Sequence, residues 1–311
     1  MSESICYSGL YGYADVGRYG LGHSLLAWAR CWNWCQMHSL PMLAPNWRHI
    51  RIGPWLRGER DKRQYHRLFR FDDYITGPRR FWLLKTSNAW SAECDDLDKL
   101  LSDHRQGIVI FNNRLSLNEE MHFHEVIGKG PLLREALESM TRFEYRPSPL
   151  LRPHIALHVR MGDFGQPASL EALRSGSKNS RLPVEWYLRI LEGLRELLGH
   201  VPAIVYSDGD ETSLAELLRL PDVSRSPRQP SVTDMLSISQ ATILISSGSG
   251  FSMWGSFLGD IPRISFPGQR FVRVLGEPLG VDREPEVESV EELSVAFVDA
   301  VSARFNSGAK G

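Results

Sequence analysis

Pro153 to Gly165 reads P-H-I-A-L-H-V-R-M-G-D-F-G. His154 to Val159 is aliphatic and β-branched and predicts a buried strand. The strand runs directly into Arg160, Gly162 and Asp163. In open α/β sheets, ligands sit just beyond the carboxyl ends of strands. An arginine beside a glycine turn there can offer a planar fork of donors to a phosphate. His158 lies two residues before Arg160, so both side chains leave the strand on one face. That pairing suits a nucleotide diphosphate. The competing reading is an ion pair between Arg160 and Asp163 that braces the strand exit.

Outward from this stretch, the chain alternates strand and helix signals, which predicts an α/β fold with largely parallel sheets. Its 311 residues are enough for two domains. The proline-rich Ser148–Pro153 segment sets an expected boundary, giving lobes 1–150 and 151–311. Hydrophobic residues make up 42% and charged residues 23%, as in a globular protein. A net charge of −1 offers no polybasic field for nucleic acid. Arginine clusters between Arg57 and Arg70 could meet anionic lipid or a phosphorylated acceptor, against the ordinary reading of a solvated helix face.

The four cysteines, Cys6, Cys31, Cys35 and Cys94, form no C-x-x-C pair. Cys31 and Cys35 lie one helical turn apart among tryptophans and read as small buried hydrophobes. The N-terminus lacks the pattern of a signal peptide, and no run approaches the ~20 apolar residues of a membrane helix. The expectation is a cytoplasmic chain with, at most, peripheral contact with a membrane.

Gly17, Gly20 and Gly22 precede a helix with Leu25, Trp28, Ala29, Trp32 and Cys35 on one stripe. A glycine turn entering a helix is a geometry for backbone amides to face an anion. Leu40–Ala44, Gly107–Phe111, Ala203–Tyr206, Thr242–Ser246 and Ile261–Phe266 are predicted strands. Glu119–Val126, Leu132–Arg142, Pro183–Leu198, Glu211–Arg219, Thr233–Gln240 and Glu291–Phe305 are predicted helices. Gly53-Pro54 and Gly77-Pro78 read as turns. Trp47, His49, Arg51, Trp55 and Arg57 are expected on loops that face an acceptor, with core and rim packing as the competing reading of the aromatics. Gln166–Leu182 is expected to be a flexible loop over the site. Asp208-Gly209-Asp210 reads as a helix cap.

Three blocks together resemble the α-1,2-fucosyltransferase family and, more loosely, the wider fucosyltransferase superfamily. H-V-R-M-G-D-F (His158–Phe164) is similar to the family's H-x-R-x-G-D-Y. G-L-G-H-S-L (Gly20–Leu25) is similar to its G-L-G-N-Q-M, with His23 in place of Asn and Ser24 in place of Gln. The segment Ser231–Gly255 keeps Asp234, Ser239, Ser249, Phe251, Ser252, Trp254 and Gly255 at the family's spacing, and departs at Gly248 and Met253. Ser207 and Asp208 match the first two residues of its S-D-D, and Gly209 replaces the third.

The resemblance implies two Rossmann-like lobes of the glycosyltransferase B type, in the fucosyltransferase variant. The first lobe would face the acceptor and the second would bind the nucleotide sugar. It implies inverting transfer of fucose from GDP-β-L-fucose to a sugar hydroxyl of a glycan or polysaccharide, without a metal or other cofactor. Arg160 would hold the β-phosphate, His158 and Asp234 the guanine side, and Ser249, Gly250, Phe251 and Ser252 the phosphates. Gly20, Gly22, His23, Ser207 and Asp208 would complete the donor site, with Asp163 as candidate general base. The alternatives are transfer from another nucleotide sugar, and a non-catalytic nucleotide-sugar or glycan-binding module.

Overall fold

A computed structural model describes residues 9–17, 19–48, 64–112, 123–150, 152–162, 164–277 and 280–308. Asp163, and His49 to Arg57 of the expected acceptor loops, lie outside these residues. So does the first half of the helix expected at Glu119–Val126. The chain divides into two compact units. One takes the described residues up to Val126 together with Ser139–Arg142; the other takes Ile127–Glu138 and everything described from Phe143 onward.

The first unit holds a four-stranded parallel sheet in the order β2-β1-β4-β3. Its strands are β1 (Leu10–Ala14), β2 (Met42–Leu43), β3 (Ala89–Ser91) and β4 (Gly107–Phe111). The helix Leu21–Met37 buries Leu25, Trp28, Ala29, Cys31 and Cys35. Cys31 and Cys35 fill the space over Gly12, where any Cβ would run into both sulfurs. Arg30 is buried in the same helix, pairing with Glu93 at 3.0 Å and Glu125 at 2.8 Å.

The second unit is a five-stranded parallel sheet in the order β7-β6-β5-β8-β9. The strands are β5 (Ile155–Val159), β6 (Ala203–Ser207), β7 (Val223–Arg225), β8 (Ile243–Ser246) and β9 (Arg263–Ser265). Counted from β5 the order is 3-2-1-4-5, that of a Rossmann half, and it reverses between β5 and β8. Every residue of β5 is buried, as expected of a central strand covered on both faces. Ile155, Leu157 and Val159 join Trp186, Ile190, Leu191 and Leu194 of the helix Val184–Leu198. Ala156 faces the other way, towards Ile238, Ala241 and Leu244. There the helices Ser231–Ile238 and Gly250–Gly259 approach closely, because Gly255 leaves room for Ile238 and Gly259 for the backbone of Ser239.

Several local expectations change. Gly77-Pro78 opens a helix, Gly77–Thr86, because proline needs no N–H in a first turn. Trp47 is buried against Phe69 at 4.8 Å and Tyr65 at 6.2 Å, so it is core and not an acceptor-facing residue. The Gln166–Leu182 segment carries a helix, Leu170–Arg174, capped by Ser169 and tied by Arg174 to Glu288 at 2.6 Å. The helix expected at Glu211–Arg219 shrinks to Ala215–Leu218. The one expected from Thr233 starts at Ser231 after Pro230, and no side chain caps it. Thr233 donates to the Tyr145 carbonyl at 2.6 Å instead. The last helix is Val295–Gly308, preceded by a separate 3-10 turn at Val290–Glu292.

Among the described residues no helix is long and apolar enough to cross a membrane. Replacing Gly12 by alanine should destabilise the first unit by about 1–3 kcal/mol through overpacking. Adding Cys35→Ala should recover much of that loss, as read from thermal unfolding. Equal stability of Gly12→Ala and the parent would mean that the cysteine-glycine contact is loose.

Candidate nucleotide-sugar site

The carboxyl ends of β5, β6 and β8 lie side by side, and most of the residues singled out in the second unit gather there. Arg160 leaves β5 and its Nη1 meets Asp208 Oδ2, beyond the end of β6, at 2.5 Å. The guanidinium also lies over the Phe164 ring, 5.5 Å from its centroid. Asp208 accepts the Met161 N–H at 2.8 Å, and the Gly162 N–H bonds to it as well. A Cβ at position 162 would strike the Asp208 carboxylate, so glycine is what allows this approach. Burial raises the Asp208 pKa, but the Arg160 guanidinium and the two amides outweigh it and hold the carboxyl below its usual range.

Asp208 is therefore the partner of a strand-end arginine and not a helix cap. Asp210 accepts the Ser213 N–H at 2.7 Å in a turn that precedes the short helix. Ser207 donates to the Val159 carbonyl at 2.6 Å and accepts from Gly209 N–H at 3.0 Å, locking the same two strand ends together.

His158 faces the opposite side of the serine turn from solvent. It is buried, with Nδ1 2.6 Å from Ser252 Oγ and 2.9 Å from Ser247 Oγ. Its ring stacks on Phe251 at 5.0 Å, and Tyr187 donates to its carbonyl at 3.1 Å. Burial, reinforced by the nearby Arg160 charge, lowers its pKa to about 3, against a smaller upward pull from Asp208. A neutral imidazole thus sits beneath the hydroxyls and organises them.

Above it the helix Gly250–Gly259 begins. Ser249 caps it, accepting the Ser252 N–H at 3.3 Å, and no neighbour occupies the space where a Cβ would stand on Gly250. The helix N-terminus presents backbone donors and the positive end of its dipole. With Arg160 it forms an edge suited to an anion. Asp234 lies on the neighbouring helix; its Oδ1 accepts from Gln229 at 2.8 Å and Ser226 at 3.2 Å.

Gly20, Gly22 and His23 belong to the first unit. Gly20 is the N-cap residue of the helix Leu21–Met37, so Gly22 and His23 stand in its first turn and not in a loop before it. His23 lies 4.4 Å from the Tyr19 ring.

The sequence pattern did not single out Gln269. It is buried, and its Nε2 donates to the carbonyls of Leu173 at 2.7 Å and Ser177 at 3.2 Å. Its Oε1 fills the space that a Cβ on Gly248 would need. The side chain thereby ties the Leu170–Arg174 segment to the serine turn, and a lone glutamine far along the chain carries no local signal of that. Among the described residues no cluster of three or more His, Cys, Asp or Glu side chains could hold a metal ion.

No protein-family description matches the chain, and no curated protein does. Among solved structures the chain is similar to fucosyltransferase NodZ from Bradyrhizobium, with 13% identity, coverage of 83% of this chain and 96% of that one, and a TM-score of 0.47. It is similar to NodZ alpha-1,6-fucosyltransferase soaked with GDP-fucose, with 15% identity, coverage of 83% and 94%, and a TM-score of 0.45. It is also similar to POFUT1 in complex with GDP, with 12% identity, coverage of 83% and 99%, and a TM-score of 0.42.

The depressed pKa of His158 has a consequence for stability. Between about pH 6.5 and 3 the unfolded chain takes up a proton there that the folded chain refuses. The neutral ring's contribution is therefore present above pH 6.5 and is lost as pH falls through that window. Stability should drop more steeply from pH 7 to 5 in the parent than in His158→Gln, by at most about 1.4 kcal/mol per pH unit. Urea unfolding at several pH values measures the difference, and equal slopes would mean that the buried ring titrates normally.

Proposed function

We propose that the chain is a glycosyltransferase that moves fucose from GDP-β-L-fucose to a sugar hydroxyl of a glycan, with inversion at the anomeric carbon. The observation that carries this reading is the convergence of Arg160 and the Ser249-capped helix N-terminus at the strand-order reversal of a 3-2-1-4-5 sheet. The three motif blocks that resemble the α-1,2-fucosyltransferase family fall on that edge and on the Gly20 helix entry.

On this reading the bond between the anomeric carbon and the β-phosphate oxygen breaks as the acceptor oxygen bonds to that carbon. Negative charge grows on the departing diphosphate. Arg160, the Ser249 and Ser252 hydroxyls and the first amides of the helix Gly250–Gly259 neutralise it. Asp208 fixes the guanidinium plane, and neutral His158 fixes the hydroxyls. Asp163 accepts the acceptor proton. Asp234, oriented by Gln229 and Ser226, addresses the guanine edge. The first and second units then serve acceptor and donor, in the glycosyltransferase B manner, and no metal is required.

GDP should raise the melting temperature in the presence of chelator, and should do so far more than UDP or ADP. Equal shifts by UDP would move the donor to another nucleotide sugar, a reading that the departures at His23, Met161 and Gly248 leave room for. GDP release that is indifferent to every acceptor offered would favour a binding module.

Arg160→Lys keeps the charge and loses the planar fork. Its kcat should fall on the order of 10²-fold, as expected when a donor to the transition-state charge is removed. Stability should move little, since the Arg160 side chain is 30% exposed. A variant with near-normal turnover and lowered stability would assign the Arg160–Asp208 pair to bracing alone.

A further inference from the structure

The helix Gly77–Thr86 in the first unit has two faces of different character. Arg80, Leu83 and Leu84 follow i, i+3, i+4 spacing and turn inward. Leu83 joins Leu43 and Ile108, with Leu84 packed against them. Arg80 Nε donates to the Ala44 carbonyl at 2.7 Å, and its guanidinium lies over the Tyr13 ring at 5.4 Å. Pro78, Phe81, Trp82 and Lys85 follow i, i+3, i+4, i+7 spacing and make the outer face. Phe81 is 61% exposed and Trp82 is 62% exposed. Lys85 holds its ammonium 4.9 Å from the Phe81 ring centroid. Arg79 is exposed beside them, and the helix contains no acidic residue. Of the carboxylates just before it, Asp72 pairs with Arg70 at 3.3 Å.

We propose that this outer face docks on an anionic phospholipid surface. Phe81 and Trp82 enter the boundary between headgroups and acyl chains, and Arg79 and Lys85 meet lipid phosphates. Three features select this occupant. Tryptophan beside basic side chains is the composition of interfacial helices. A second copy of the chain would set Arg79 and Lys85 against their own symmetry mates, since a two-fold contact is self-complementary. A neutral glycan could stack on the rings but would leave Arg79 and Lys85 without the anionic partner that lipid phosphates supply. The proposal does not depend on the donor reading, because none of its residues belongs to the second unit.

Co-sedimentation of the full chain with vesicles tests it, comparing phosphatidylglycerol–phosphatidylcholine mixtures with phosphatidylcholine alone. The chain should partition to the anionic vesicles, and less so as salt rises. Phe81→Ser combined with Trp82→Ser should weaken partitioning at least tenfold and leave the melting temperature and GDP binding unchanged. Arg79→Gln combined with Lys85→Gln should remove the preference for anionic lipid. Absence of vesicle binding, or equal partitioning by the aromatic double variant, would overturn the proposal. A melting temperature lowered by the aromatic pair would assign the rings to internal packing. A concentration-dependent dimer lost in that variant would assign the face to a second copy.

Discussion

The ion pair between Arg160 and Asp208 governs the carboxyl edge of the second sheet. The acid also takes two amides of the β5 turn, so one carboxylate fixes both the arginine and the backbone that carries it. Ser207 ties the same strands through the Val159 carbonyl. A guanidinium held this way loses its rotamer freedom before any ligand arrives. That is the condition under which a charge-assisted contact can be selective in geometry as well as in sign.

The polar groups below that edge obey a second constraint. Four serines and a histidine crowd the start of the helix Gly250–Gly259, and Ser246, Ser247 and Ser252 are buried with His158. Buried polar atoms are tolerable only when they satisfy one another. A charged imidazole would need a counter-ion at this depth; a neutral one needs only hydroxyls. Ser247, Ser249 and Ser252 supply them within 3.5 Å. Elsewhere in the unit burial does accept charge, but only fully paired. Arg263 and Glu284 are each 1% exposed and 2.7 Å apart, and Glu284 also takes the amides of Val274 and Leu275.

The two faces of the first unit's sheet are covered unequally. One carries the long helix Leu21–Met37, packed by tryptophans and cysteines. The other meets the ten-residue helix Gly77–Thr86, with Tyr11, Tyr13, Ile75 and Ile110 only half-buried near it. A short helix that turns Arg80, Leu83 and Leu84 to the sheet leaves the aromatic residues of its opposite stripe facing outward.

Much of the architecture was legible in the residues. Hydrophobic period, glycine and proline punctuation and strand-end polarity are local properties, and they marked the α/β class, the helix Val184–Leu198 and the carboxyl ends where Arg160, Ser207 and Ser249 lie. Strand and helix ends shifted by a few residues, because fraying and capping depend on neighbours in space. What the tertiary structure alone decided was partnership. Arg160 met Asp208 beyond the end of the neighbouring strand β6, a partner that no local pattern names. His158 turned inward to a serine 94 residues away. Trp47 went to the core, and Gln269 became a tie between two loops. Hydrogen bonds and burial are settled by which strands lie side by side, and a linear pattern carries the period of a strand but not the identity of its neighbour.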